Sequence, residues 1–288
     1  MNDAPSGPPT GRSSSAEHSS PRERSSWTDP ASVVARLRAA GCVFAEDEAD
    51  LLLEAAEGAD RLEQLLRRRE GGEPLEQILG WVAFRGLRVP VAPGVFVPRR
   101  RTEAVVDLAL LHLEDRTAAT VLDLCCGVGA IARSLAAERD GLRLHAADLS
   151  PAAVAVARRT LAGLAPVHQG DLFDALPEDL RGGIDLVVVN APYVPTASIA
   201  LMPPEARLHE PATTLDGGAD GLLLHRRIAA EALPWLREVG GVVIETSREQ
   251  AERTARLFSE AGFDCSIHLD DDRDATVVSA SRRRTTRV

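Results

Sequence analysis

The sequence contains no lysine, so all 33 of its basic residues are arginines, a pattern we attribute to coding bias rather than to function. Acidic residues outnumber them, 43 to 33, and the formal net charge is −10. Such a balance offers no general attraction to the phosphates of nucleic acid. Aromatic residues make up only 3% of the chain, with a single tyrosine, and no basic stretch is interleaved with aromatics. A stacking platform for single-stranded nucleic acid is therefore not expected. The four cysteines, Cys42, Cys125, Cys126 and Cys265, lack zinc-ligand spacing, and two of them are adjacent. That fits a reduced intracellular setting better than a disulfide framework, and no metal site is expected. No apolar run approaches the roughly 20 residues that span a bilayer. The first residues carry Ser, Pro and Gly but no apolar signal core, so a cytoplasmic location without a membrane partner is expected.

What is present divides into segments. Of the 288 residues, 44% are hydrophobic, enough for one large α/β domain and a smaller one. Residues 1–28 have almost nothing to bury and are expected to be disordered. Residues 29–73 show helical stripes, with Val33, Val34 and Leu37, then Leu51 to Leu53, then Leu62, Leu65 and Leu66. Residues 74–101 carry short apolar patches between glycines and prolines and are expected to form a β-hairpin or linker. Residues 102–281 form the main domain, and 282–288 a basic tail. Thr102 is expected to cap a helix, Ser150-Pro151 reads as a helix start with cap and first-turn proline in the favoured order, Leu222 to Leu236 is expected to be helical, and Ser247 to Gln250 reads as a capping box.

In the main domain, strands and helices alternate in the manner of a doubly wound sheet. Seven strands are expected, and the last two, with no helix between them, should be antiparallel. The run Ile184-Asp-Leu-Val-Val-Val reads as a strand buried on both faces, and it stops at Asn190-Ala191-Pro192-Tyr193. In open α/β sheets ligands sit beyond the carboxyl ends of the strands, where Asn190 falls. Ala191 precedes a proline, which holds its backbone away from helix. An amide oxygen and a fixed carbonyl are two acceptors, a suitable grip for an NH2 group.

Three acidic residues mark the ends of the first three strands of this domain, Asp123, Asp148 and Asp171. Gly127 and Gly129 allow the backbone after the first strand to approach a ligand. Asp148, about 20 residues on, is placed to accept from both ribose hydroxyls. A dinucleotide site would aim N–H groups at pyrophosphate, whereas the segment here is Asp123-Leu-Cys-Cys-Gly-Val-Gly129, with an acid before the turn. Such a loop suits a cationic ligand with a ribose and no phosphate, and S-adenosylmethionine meets that description.

The chain resembles the HemK/PrmC family of protein-(glutamine-N5) methyltransferases, which modify the glutamine of the Gly-Gly-Gln motif in peptide chain release factors. The resemblance runs through Gly72-Glu-Pro-Leu75 with Ile78-Leu-Gly80, Phe96-Val-Pro-Arg99 with Thr102-Glu103, and Asp123-Leu124 with Gly127-Val-Gly-Ala-Ile131. It continues through Asp148-Leu-Ser150, Gly170-Asp-Leu-Phe173, Asn190-Ala-Pro-Tyr193, Glu210-Pro211, and Gly217-Gly218 with Asp220-Gly221. It implies a class I S-adenosylmethionine-dependent methyltransferase, a Rossmann-like doubly wound seven-stranded sheet with its last strand antiparallel. The helical domain in front would help dock a protein substrate. Carried over residue by residue, it sets the cofactor against Asp123, Cys125, Gly127, Val128, Gly129, Asp148, Leu149, Asp171, Leu172 and Asn190. Asn190 and the carbonyl of Ala191 would hold the substrate amide, and Pro192 and Tyr193 would shape its slot. The expected partner is a release factor, with no direct nucleic acid contact and the chain a monomer.

Four departures stand out. Ala191 takes the place of the family's usual first proline, Cys125-Cys126 that of smaller loop residues, Arg100-Arg101 that of a more varied pair, and Gln77 that of a common aromatic. The carbonyl of residue 191 survives the change. Other readings of the same residues are an amino methyltransferase of nucleic acid, a methyltransferase of a small amide or amine, and a cofactor-binding protein without turnover.

Overall fold

The computed structural model describes residues 29–283, so the expected disordered head, 1–28, and the end of the basic tail, 284–288, lie outside it. Two compact units divide between Glu70 and Gly71.

The first unit holds helices α1 (Pro30–Ala39), α2 (Ala45–Ala55) and α3 (Ala59–Glu70). Asp29 accepts the Ala31 N–H at 3.3 Å and Pro30 opens the first turn, the favoured order at a helix start. The helical stripes turn inward at Val33, Leu37, Leu52, Leu62, Leu65 and Leu66, all buried. Arg69 and Glu48 form a buried ion pair at 2.5 Å. Removing Arg69 would leave the buried Glu48 carboxylate without this partner.

The second unit opens with α4 (Leu75–Leu79) and a hairpin of β1 (Trp81–Phe84) and β2 (Leu87–Pro90). Phe84 pairs with Leu87, so only Arg85 and Gly86 make the turn, and both have positive φ (49° and 74°). That geometry matches the twist of the strands. Arg85 bears the left-handed backbone while its guanidinium is held by Asp107 and Glu138 at 2.7 and 2.6 Å. After an extended stretch and a short 3-10 turn (Arg100–Thr102) comes α5 (Glu103–Leu113). Thr102 is not the cap that was expected: it lies in the turn with helical φ, makes no capping bond, and turns its hydroxyl elsewhere.

The large sheet comprises β3 (Thr120–Leu124), β4 (Arg143–Asp148), β5 (Val167–Gln169), β6 (Ile184–Val189), β7 (Leu236–Thr246), β8 (Phe263–Asp270) and β9 (Ala275–Arg282). Its order is β5-β4-β3-β6-β7-β9-β8. The first five neighbours run parallel, and β9 is antiparallel to both β7 and β8, as the missing helix between the last two strands implies. Helices α6 (Ala130–Glu138) and α7 (Pro151–Thr160) return the chain between β3, β4 and β5. A short α8 (Pro204–His209), then α9 (Leu223–Glu231) and α10 (Ala251–Glu260) complete the helices. The helix expected to reach Leu236 stops at Glu231 because Pro234 cannot continue the ladder, and Leu236 already belongs to β7.

The strand alternation divides the core in two. Val121, Leu186, Val188 and Val243 pack on one face with Val105, Val106, Ile131 and Val156 of α5, α6 and α7. Leu122, Leu124, Val187, Val189 and Ile244 pack on the other with Ile228, Ala229 and Phe258 of α9 and α10. All six residues of β6 are buried. The acid within that run, Asp185, is compensated by the Thr120 N–H and by Arg116, each at 2.8 Å. Strand order reverses at β3, so a crevice opens beyond the carboxyl ends of β3, β4 and β6.

Candidate active site

A cavity of about 620 Å³ fills that crevice. Its wall takes in Cys125, Gly127, Asp148, Leu149, Asp171, Leu172, Asn190, Ala191, Pro192 and Tyr193. Four elements thus deliver residues far apart in sequence to one space.

Asp148 ends β4 with both carboxylate oxygens already tethered. One accepts the Gly127 N–H at 2.8 Å and the other the Ser150 N–H at 2.8 Å. Each oxygen keeps a second lone pair for a hydroxyl of a bound ribose. Burial raises its carboxyl above the ordinary value, and the backbone N–H groups oppose that rise. Ser150 in turn caps α7 by accepting the Ala153 N–H, the cap read from the Ser-Pro pair.

Asp123, Val128 and Gly129 stand behind the wall rather than in it. Asp123 is 1% exposed and accepts the Ala132 N–H at 3.0 Å, tying β3 to the start of α6. Burial pushes its carboxyl up to about 8, and nearby Asp148 adds to the rise. Its charged form is thus disfavoured where it stands, behind the wall rather than facing the cavity. Gly129 holds left-handed backbone (φ 81°), and a Cβ there would lie 3.0 Å from Leu161 Cδ1, just past the end of α7. Three side-chain-bearing residues of the wall, Cys125 (φ 58°), Leu172 (φ 48°) and Asp274 (φ 51°), hold left-handed backbone. Such strain is confined to places that the surrounding structure over-determines.

Asp171 sits on the wall with its carboxylate against Arg227 of α9, at 2.9 and 3.0 Å. Leu149 and Leu172 offer apolar surface beside it. Tethered hydroxyl acceptors next to apolar side chains fit the adenosine of S-adenosylmethionine.

Beyond β6 the tetrapeptide is stitched in place. Asn190 donates from Nδ2 to the Thr102 hydroxyl at 3.0 Å. Tyr193 donates its hydroxyl to Glu245 at 3.0 Å, and its carbonyl accepts from Gln250 Nε2 at 2.9 Å. Burial and Glu245 raise the Tyr193 phenol, so it stays a donor. Gln250 is therefore not the far end of a capping box: it stands at the start of α10, bonded to Ser247 Oγ, and spends its NH2 on the loop. Glu210, buried behind the wall residue Arg99, accepts from the Val97 N–H and from Arg99, at 3.2 and 2.6 Å.

Glu245 was not singled out from the sequence, and Gln250 and Arg99 were named there only in a capping box and in the family resemblance, not as site residues. The signal for Glu245 was available: it is an acid at the carboxyl end of an apolar strand, Val242-Val-Ile-Glu245, the same logic that exposed Asn190.

Residues 86–251 match the family model of the methyltransferase small domain. The chain is 37% identical over 247 residues to the release factor glutamine methyltransferase of Mycolicibacterium smegmatis, across 79% of this chain and 86% of that protein. It is 42% identical over 186 residues to the release factor glutamine methyltransferase of Streptomyces coelicolor, across 64% of this chain and 66% of that protein. It is also 38% identical over 191 residues to the 4-amino-L-phenylalanine/4-methylamino-L-phenylalanine methyltransferase of Streptomyces pristinaespiralis, across 64% of this chain and 65% of that one. With this domain on a seven-stranded, mostly parallel sheet, the chain belongs to the release factor glutamine methyltransferase family and is an S-adenosylmethionine-dependent methyltransferase.

Proposed function

We propose that the protein methylates the side-chain amide nitrogen of a glutamine, that of the Gly-Gly-Gln motif in a peptide chain release factor. The observation that carries this reading is the presence of Asn190 and Asp148 on one cavity, at the carboxyl ends of β6 and β4. Asp148, with Gly127 and Leu172, would hold the cofactor. S-adenosylmethionine supplies the electrophilic methyl group. Asn190 and the carbonyl of Ala191 would grip the substrate NH2.

An amide nitrogen is a poor nucleophile because its lone pair is delocalised into the carbonyl. Two acceptors on its two hydrogens fix the nitrogen and aim it, and positioning of that kind supplies a large part of a barrier reduction. The tyrosine is no base here, since its hydroxyl is bonded to Glu245. The helical unit, 29–70, would serve to dock the protein substrate, and the cytoplasm is where such a substrate is found.

The likeness to an enzyme named for an aromatic amino acid carrying an amine favours a second reading, a small amine as acceptor. One assay separates them. Labelled cofactor is offered with the release factors, with their Gln→Ala variants, and with free arylamines. Label on the parent factor that vanishes in the variant supports the first reading, and label on the amine alone supports the second. Asn190→Ala should lower kcat by about 100-fold with cofactor binding retained. Full turnover in that variant would overturn both readings.

A further inference from the structure

Three arginines line the cavity, Arg99, Arg101 and Arg248. Two of them are already spent within the fold. Arg99 donates to Glu210 at 2.6 Å, and Arg248 pairs with Asp271. Arg101 stands apart. Among the described residues its guanidinium donates no hydrogen bond, and its Nε is buried without a partner. The acid beside it, Glu245, lies 3.5 Å from Nε, too far for a good hydrogen bond. The same Glu245 oxygen already accepts the Tyr193 hydroxyl at 3.0 Å. Burial also raises the Glu245 carboxyl, which weakens its claim on a cation. Of the other acids on the wall, Asp171 is held by Arg227 and Asp148 by two backbone N–H groups. No ion pair joins Asp274 to Arg101 among the described residues.

Arg101 is fastened to the acceptor tetrapeptide from two directions. The next residue, Thr102, accepts from Asn190 Nδ2 at 3.0 Å, and Glu245 stands between Arg101 and Tyr193. The Arg101 side chain is 41% exposed and lines the cavity, whereas Arg100 is exposed and forms no part of the wall. Of the two arginines that depart from the family's pair, one alone faces the site.

A guanidinium carries five N–H donors in a planar fork, which matches the two oxygens of a carboxylate. A charge-assisted pair of that kind is stronger than a bond to a neutral carbonyl. We propose that Arg101 is a specificity-determining residue, binding a carboxylate that the acceptor carries beside its methylated nitrogen. The inference rests on the proposed amide or amine acceptor and adds a second group that this acceptor must bear. Gly-Gly-Gln brings no acidic side chain of its own. The carboxylate therefore belongs to a residue flanking the glutamine or to a free amino acid.

Matched acceptors that differ in one group test it. The peptide Gly-Gly-Gln-Asp is set beside Gly-Gly-Gln-Asn, both with amidated ends, and 4-aminophenylalanine beside its α-carboxamide. Methyl transfer from labelled cofactor is measured with the full chain. In the parent, the carboxylate member of at least one pair should have the higher kcat/KM by about 10-fold or more, the worth of a charged hydrogen bond. The pair that shows it identifies the source of the carboxylate. In Arg101→Gln the preference should collapse to within about 2-fold, through KM rather than kcat, as the loss of uniform binding requires. Arg100→Gln removes an equal charge outside the wall and should leave the preference intact. Cofactor affinity, by calorimetry, should stay within about 2-fold of the parent in both variants, since the loss is confined to the acceptor.

A parent without preference in either pair overturns the proposal, whatever becomes of the variants. So does a preference that survives Arg101→Gln, or an equal loss on both members of a pair, the mark of a merely structural role. The assay on release factors and arylamines judges the proposed function separately. Should the parent turn over none of the four probes, their binding to the chain loaded with S-adenosylhomocysteine supplies the same comparison. No binding there, or equal binding within each pair, overturns the proposal.

Discussion

Gln250 donates both hydrogens of its amide across to the acceptor loop, to the carbonyl of Tyr193 at 2.9 Å and that of Asp220 at 3.1 Å. The two bonds close around Gly221, whose φ is 75° and whose added Cβ would lie 2.2 Å from both Gln250 Nε2 and the Tyr193 oxygen. Neither atom can retreat without losing its partner. Gly221→Ala should therefore destabilise the domain by about 2 kcal/mol or more and disturb the slot at Tyr193. Chemical denaturation of this variant beside the parent measures it, and an unchanged midpoint would mean that the loop yields freely.

Asp148 holds two backbone N–H groups, those of Gly127 and Ser150, with separate oxygens. Asparagine has only one oxygen, so Asp148→Asn must set its NH2 against one of those donors. Cofactor affinity is expected to fall by about 10- to 100-fold, the usual worth of charged hydrogen bonds. Calorimetric titration with S-adenosylmethionine reads this directly. An affinity equal to the parent's would remove Asp148 from the cofactor wall.

The raised carboxyl of Asp123 predicts a pH dependence with a definite sign. Its value is about 8 in the fold against an ordinary 3.8, so between these the folded chain keeps a proton that the unfolded chain has released. Stability should fall as pH rises through this window, by about 1.4 kcal/mol per pH unit at the steepest. Asp123→Asn should flatten the profile, although Asp148, also raised, leaves some slope. Denaturation midpoints at about pH 5 and about pH 8 provide the test. A profile identical in parent and variant would show that Asp123 does not carry the effect.

Cys125 lines the cavity, but its thiol is raised by burial and by the carboxylates of Asp148, Asp123 and Asp171. It should alkylate at least about 10-fold more slowly in the native chain than in the unfolded one, because the thiolate is the reactive form. Peptide-level mass spectrometry after timed alkylation follows it. Fast native modification would contradict this electrostatic picture.

The sheet and much of the site were legible because their signals are local. The apolar run of β6, its stop at Asn190, and the Ser150-Pro151 helix start each declare themselves within a few residues. Thr102 was misread for the same reason: a threonine before an apolar helix looks like a cap, and only the fold reveals Asn190 as its partner. Gln250 repeats the lesson, since Ser247 and Gln250 have capping-box spacing while the glutamine amide is claimed by Tyr193 and Asp220. Gly129 was identified as a required glycine, but its neighbour, Leu161, lies 32 positions away and is invisible to a local motif. Asp123 needed burial to be known before its charge state could be.

The reversal of strand order at β3 has a consequence for how such a protein can diversify. Leu172 and the tethered Asp148, proposed for the adenosine, lie after β5 and at the end of β4, on one side of that strand. Asn190 and its supports come from β6, from β7 and from the segment ahead of α5, on the other. On the function proposed above, donor and acceptor recognition would be written in separate stretches of chain, so one could drift while the other stays fixed. On that reading Ala191, after β6, and the adjacent cysteines, after β3, are independent changes, and a chimera that exchanges 95–102, 184–221 and 236–250 together would transplant acceptor choice while leaving the β4 and β5 ends untouched.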